Sequence, residues 1–149
     1  MRAKTFALTM MGLAAAAMLM PSQVALAAPA PQDAPKKDRF SLKVTNGKGK
    51  AGTPITAKVD ATAKTVWHFN ADFPTSLKLT VPEGVTVAKP KLKIADASSF
   101  GEKAFSFPVK ATAAKPGKYK IEGLLKFAVC IESTCSMMKE KVTFEVEAT

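Results

Sequence analysis

From Phe40 onward apolar residues recur at every second position in short runs. Leu77, Leu79 and Val81 fall opposite Lys78 and Thr80, and Val142, Phe144 and Val146 fall opposite Thr143, Glu145 and Glu147. A period of two puts each apolar set on one face of a pleated strand. The runs that read as strands are 40–45, 55–61, 65–69, 76–81, 85–88, 104–111, 119–130 and 141–147, rich in Val, Ile, Thr and Phe. Turn formers punctuate them at Asn46-Gly47, Pro82-Glu83-Gly84 and Lys115-Pro116-Gly117. No stretch sustains the 3.6-residue apolar period of a helix, and no internal repeat is visible. The pattern predicts an all-β, immunoglobulin-like antiparallel β-sandwich of seven to nine strands over residues 40–149.

Upstream the pattern changes twice. Residues 28–39, APAPQDAPKKDR, are Pro-rich without apolar periodicity and are expected to form an extended, disordered tether. Before them, Arg2 and Lys4 precede an apolar run from Phe6 to Met20, and Ala25-Leu26-Ala27 offers the small residues of a cleavage site. The run is shorter than the ~20 apolar residues that span a bilayer, and Pro21 ends it. Residues 1–27 therefore read as a cleavable export signal, and the protein is expected in the periplasm or outside the cell. No cysteine follows the expected cut, so lipid attachment there lacks an acceptor thiol.

The chain carries 22 Lys and Arg against 12 Asp and Glu. A basic balance of this kind favours nucleic acid, an anionic membrane surface or acidic partners. Lys43, Lys58, Lys78, Lys91, Lys110, Lys126 and Lys141 are, however, scattered along the sequence and are not interleaved with aromatic residues. They read as solvated strand faces, so neither nucleic acid nor, once the signal is removed, a membrane is an expected partner.

Cys130 and Cys135 are the two cysteines of the chain. In an oxidising compartment an even count argues for a disulfide. Bridges that staple sandwiches close long loops, whereas a six-residue ring restricts the unfolded chain by only about 2 kcal/mol, against nearly 5 for a loop of 100 residues. Parity puts Ile121, Leu125, Phe127 and Val129 on one face of their strand and Glu122, Lys126 and Cys130 on the other. Cys130 then lies on the polar side at the strand end, with Cys135 across a turn of Ile131-Glu132-Ser133-Thr134. An accessible pair in a tight turn, with Lys126 and Lys139 nearby to favour a thiolate, has the features of an exchanging disulfide.

The segment KYKIEGLLKFAVCIESTCSMMKEKVTFEV, residues 118–146, resembles the closing hairpin of the amino-terminal periplasmic domain of the DsbD thiol-disulfide interchange family. TVWHFN at 65–70 is similar to that family's aromatic strand end, and VPEGV at 81–85 to its Pro-x-Gly turn. The resemblance covers roughly residues 40–147. It implies an immunoglobulin-like fold whose cysteine pair passes reducing equivalents to other periplasmic proteins through mixed disulfides. Cys135 matches the cysteine that forms those mixed disulfides, and Cys130 its resolving partner. In the family a loop with an aromatic side chain shields the pair. The matching stretch is 89–101, making Phe100, or Leu92 and Ile94, the candidate caps. Ser136 stands where the family commonly has proline. The family's membrane-embedded and thioredoxin-like domains have no counterpart here, so electrons are expected from a separate partner, a periplasmic thioredoxin-like or disulfide-exchange protein.

Other chemistry is thinly represented. Met137 and Met138 lie just after Cys135 and, with His68, could supply soft ligands to Cu(I). A blue-copper site needs two histidines, and adjacent strand residues point to opposite faces. His68 reads as a packing residue, Asn70 and Asp72 as turn formers, and Trp67, Phe69 and Phe73 as core or rim. No Gly-rich phosphate loop, nucleophile elbow or zinc spacing occurs, and no cofactor is expected. The expectation is a monomeric interchange domain working through Cys130 and Cys135. The alternatives are an exported, non-enzymatic binding module with a structural hairpin bridge and, further off, a Cu(I)-binding protein.

Overall fold

The alternation of apolar and polar positions resolves into two facing sheets. The computed structural model describes residues 38–149, so the expected export signal, and all but the last two residues of the Pro-rich stretch, lie outside the described residues. The paired segments are β1 (Phe40–Thr45), β2 (Gly47–Gly49), β3 (Pro54–Ala63), β4 (His68–Phe69), β5 (Ser76–Thr80), β6 (Val85–Val87), β7 (Lys91–Lys93), β8 (Ser99–Phe100), β9 (Ala104–Ala113), β10 (Gly117–Ile131) and β11 (Thr134–Ala148). One sheet runs β1-β3-β9-β6, with β8 also on β9. The other runs β2-β11-β10-β5-β7, with β4 also on β10. All pairings are antiparallel except β2 with β11. This is the immunoglobulin-like sandwich that the alternation predicts. The short additions β2, β7 and β8, of two or three residues, carry too little alternation to be visible in the sequence.

Apolar positions of both sheets meet in one core. Phe69, Phe105, Phe107, Phe127 and Phe144 are its largest fully buried side chains, beside Ile55, Leu77, Ile121 and Leu125. Each such side chain contributes about 1.5–3 kcal/mol by leaving water. The rings meet edge to face, Phe69 on Phe105 with centroids 4.7 Å apart and Phe40 on Phe127 at 4.8 Å. Since Phe69 pairs with Val129, this aromatic cluster lies directly beneath the end of β10 that carries the cysteine.

Two glycines mark close approaches. A Cβ on Gly123, in the middle of β10, would lie 2.8 Å from Leu77 Cδ1 and 2.9 Å from Val142 Cγ2. At Gly47 it would lie 2.8 Å from Ile55 Cγ2 and 2.9 Å from the Thr56 carbonyl oxygen. Asn46-Gly47 is thus less a hairpin turn than the point where the chain leaves β1 and crosses to the other sheet. Asn46 Oδ1 accepts the Glu145 amide there at 2.9 Å.

Two expectations need correction. The run 65–69 is a strand only at His68–Phe69. Thr65 adopts a φ of +47°, the Trp67 amide turns back to the Lys64 carbonyl at 2.9 Å, and Lys103 Nζ donates to the carbonyls of Thr65 and Trp67 at 2.9 and 2.7 Å. A left-handed residue and a lysine clamp outweigh the β propensity of Thr, Val and Trp. At the other end of the tether, Arg39 belongs to the fold: it is buried, with its guanidinium 4.8 Å from the centre of the Trp67 ring.

Candidate functional site

β10 and β11 pair over their whole fifteen-residue lengths. Ile131 and Thr134 form the last pair, so Glu132 and Ser133 make a two-residue tip. Neither tip residue has a positive φ, Thr65 being the sole non-glycine residue with one among those described. Tight hairpins favour turns with positive φ at one or both central residues, because these match the right-handed twist of the strands, while the others splay them. The next pair is Cys130 with Cys135, joined by a disulfide, with Cα atoms 4.0 Å apart. The bond therefore clamps a tip whose backbone favours opening.

Burial divides the two sulfur-bearing residues. Cys130 is 3% exposed and Cys135 is open to solvent. Strand parity holds, since Cys130 stands opposite in sense to the core residues Phe127 and Val129. What covers it is β4, whose residue His68 is its cross-strand partner on the other side. His68, Cys130 and Cys135 thus form one row across three strands, on the face away from the core. Both cysteines line a shallow depression of about 400 Å³ with His68, Asn70, Asp72 and Glu102 on its walls.

Asn70 is the polar contact of the exposed sulfur. Its Nδ2 lies 4.0 Å from Cys135 Sγ, and its Oδ1 accepts the Asp72 amide at 2.8 Å. The second bond is the turn predicted for Asn70 and Asp72, and it orients the amide so that its donor faces the disulfide. A thiolate formed on Cys135 would accept that donor, which stabilises the charged form. His68 stands beside Cys130 across the strand pair. The carboxylates of Asp72, Glu102 and Glu132, on the same depression, oppose the thiolate charge.

Several expected neighbours are elsewhere. Lys126 and Lys139 face one another four residues down the hairpin, about 13 Å from the cysteines at the strand rise and beyond the roughly 10 Å screening length at 0.1 M salt. They do not tune the sulfurs. Phe100 is in β8 and stacks on Phe105 with centroids 5.3 Å apart. Leu92 is on the core side of β7, opposite Leu77, and Ile94 opens a one-turn 3-10 helix at Ile94–Asp96. None of these three candidate caps lines the cysteine depression; apolar burial has drawn Phe100 and Leu92 inward. Met138 is buried in the core and Met137 is exposed, so the two thioethers point to opposite faces, as strand parity requires. Among the described residues no group of three His, Cys, Asp or Glu is placed to hold a metal ion.

His68 and Glu102 have a place at the site that the sequence did not assign. For His68 the signal lay in the strand ending TVWHFN, and for Glu102 there was none, since a loop between β8 and β9 delivers it. Among the described residues, no helix is long and apolar enough to cross a membrane.

No protein-family model matches the chain, and no curated protein matches it. Among solved structures, it is similar to AggA, the major subunit of aggregative adherence fimbriae type I of Escherichia coli. The identity is 10%, covering 74% of this chain and 95% of that one, with a TM-score of 0.35. It is also similar to the CooA pilin subunit of enterotoxigenic Escherichia coli, at 12% identity over 74% of this chain and 99% of that one, with a TM-score of 0.29. Both overlaps are loose, and no residue role passes from either protein to this chain.

Proposed function

We propose that the chain is an exported thiol-disulfide interchange domain working through Cys130 and Cys135. The observation that supports this most is the unequal exposure of the two ends of one disulfide. A partner thiolate can reach the exposed Cys135, with the covered Cys130 as the leaving sulfur. Attack forms a mixed disulfide on Cys135 and releases Cys130 as a thiolate. A second thiol of the partner then attacks the partner's own sulfur, and Cys135 leaves with the electron pair. The protein's disulfide has gained two electrons and the partner's dithiol has lost two. In reverse, Cys135 thiolate attacks a substrate disulfide and Cys130 resolves the adduct. Partners of the thioredoxin-like or disulfide-exchange class supply and take the electrons, as the resemblance to the DsbD amino-terminal domain implies.

Equilibration in glutathione buffers, with the thiol state read by alkylation and mass, tests this reading. A potential of about −120 to −270 mV supports exchange, and one below about −300 mV refutes it. A Cys130→Ser variant should accumulate mixed disulfides on Cys135 in extracts from an exporting host.

The place of the bond, one pair from the hairpin tip, favours a second reading, in which it only holds the end of the last hairpin closed and the protein is a binding module. The potential decides between the two, because a purely structural bridge resists the glutathione pool.

A further inference from the structure

The lysines scattered in sequence are gathered by the register. On the outer face of the β2-β11-β10-β5-β7 sheet, Lys126 stands directly opposite Lys139, and Lys126 is paired through Ser76 with Lys93. In the next row Lys78 stands directly opposite Lys91, and Leu124 links Lys78 to Lys141. All six lysines are exposed and none takes part in the ion pairs seen among the described residues, which join Lys48 to Glu147 and Lys89 to Asp96. Neither row contains a carboxylate among its strand residues; Asp96, tied to Lys89 and to the Lys93 amide, lies at the β7 edge, and Glu122 comes one row beyond. Strands spaced about 4.8 Å apart and alternate residues about 6.8 Å apart make this a closely spaced lattice of positive charge. Like charges placed directly across a strand pair cost stability, and this sheet carries two such pairs side by side.

We propose that this lysine face docks the protein on an anionic lipid bilayer. The chemistry of the face selects that partner. Ammonium groups are point charges without the bidentate geometry by which arginine recognises single phosphates or carboxylates. Protein interfaces concentrate aromatic residues and arginine and are depleted in lysine, and single-stranded nucleic acid needs aromatic platforms; these two rows have neither. A dense array of lysines instead suits a continuous layer of anionic headgroups, toward which each lysine adds attraction. One row further, on the same face, Met137 is 76% exposed, an apolar side chain placed where it would meet the interfacial region. The proposal replaces the expectation of no membrane contact and is independent of the thiol reading.

The test uses the chain recovered from an exporting host, its amino terminus established by mass, in flotation with vesicles of phosphatidylcholine alone or mixed with phosphatidylglycerol. Binding to the mixed vesicles alone, weakened by salt, is expected. Substituting Lys78, Lys126 and Lys139 together by Gln should lower partitioning at least about tenfold. The same substitution of Lys43, Lys58 and Lys110, on the other sheet, removes equal charge and should have little effect. Circular dichroism verifies that both variants are folded. Equal losses from the two triple variants, no preference for the anionic vesicles, or retention by an acidic polymer without any vesicle binding would each overturn the proposal.

Discussion

Asn70 Nδ2 approaches Cys135 Sγ to 4.0 Å across 65 positions of sequence, and the opposite end of the same amide is held by the Asp72 backbone. The exposed sulfur therefore has an oriented donor, whereas Cys130 has its cover from β4. In the reduced protein, Asn70→Ala should raise the Cys135 thiol pKa, since a donor to the thiolate is lost. Iodoacetamide alkylation of Cys135 near neutral pH should slow several-fold. The Asp72→Ala variant keeps the Asn70 side chain and the backbone amide of residue 72 and loses a negative charge beside the sulfur, so it should alkylate at least as fast as the parent; an equal slowing in both would mean that the Asn70 donor is not the cause.

Reduction should loosen the tip and little else. The six-residue ring accounts for about 2 kcal/mol of unfolded-state restriction, and the splaying turn adds a local tendency to open. Amide exchange measured by NMR should show protection falling at Ile131 and Ser136, which flank the bridge as hydrogen-bonded positions of the hairpin, on reduction. The amides of Gly123 and Phe144, deep in the same hairpin, should keep theirs. Uniform loss along β10 and β11 would mean that the bridge supports the whole hairpin.

The fold was legible where alternation ran for five residues or more. Leu77 and Leu79 are buried between exposed lysine and threonine, and Val142, Phe144 and Val146 all reach the core. The segments β7 and β8 could not be read, because two or three residues pair only through the register of a longer neighbour. The cysteine hairpin was legible as a hairpin and as a disulfide. Its surroundings were not: proximity to Lys126 and Lys139 was inferred from sequence distance, which an extended strand turns into about 13 Å. His68 reached Cys130 through tertiary pairing, and the lysine face arose from the register of four strands, β5, β7, β10 and β11.

Gly123 should tolerate no side chain. It occupies a core-side position of β10 where a Cβ would come within 3 Å of both Leu77 and Val142. Those side chains are themselves packed, so neither can retreat without moving a strand. Gly123→Ala is expected to destabilise the protein by about 1–3 kcal/mol despite the better β propensity of alanine over glycine. Urea unfolding measures it, with an unchanged m-value showing that the effect is on stability.

Asp96 ties the β7 segment down by charge. Its carboxylate pairs with Lys89 Nζ and accepts the Lys93 amide at 3.0 Å. The hydrogen bond from Lys89, followed by that from the Lys93 backbone, holds the Asp96 pKa below its ordinary value. A carboxyl depressed in the folded state contributes stability that is fully present above its unfolded pKa of about 4 and is lost as pH falls through the folded value. Asp96→Asn should therefore lower the melting temperature near pH 7. The gap between variant and parent should close as pH falls below about 4, since protonation removes from the parent what the substitution removes from the variant. The site is exposed and the pair is screened by salt, so the gap should be small and should shrink further at high ionic strength. A gap that persists unchanged at low pH would show that the charge pair with Lys89 is not its source, because a protonated aspartate has lost that pair as fully as asparagine has.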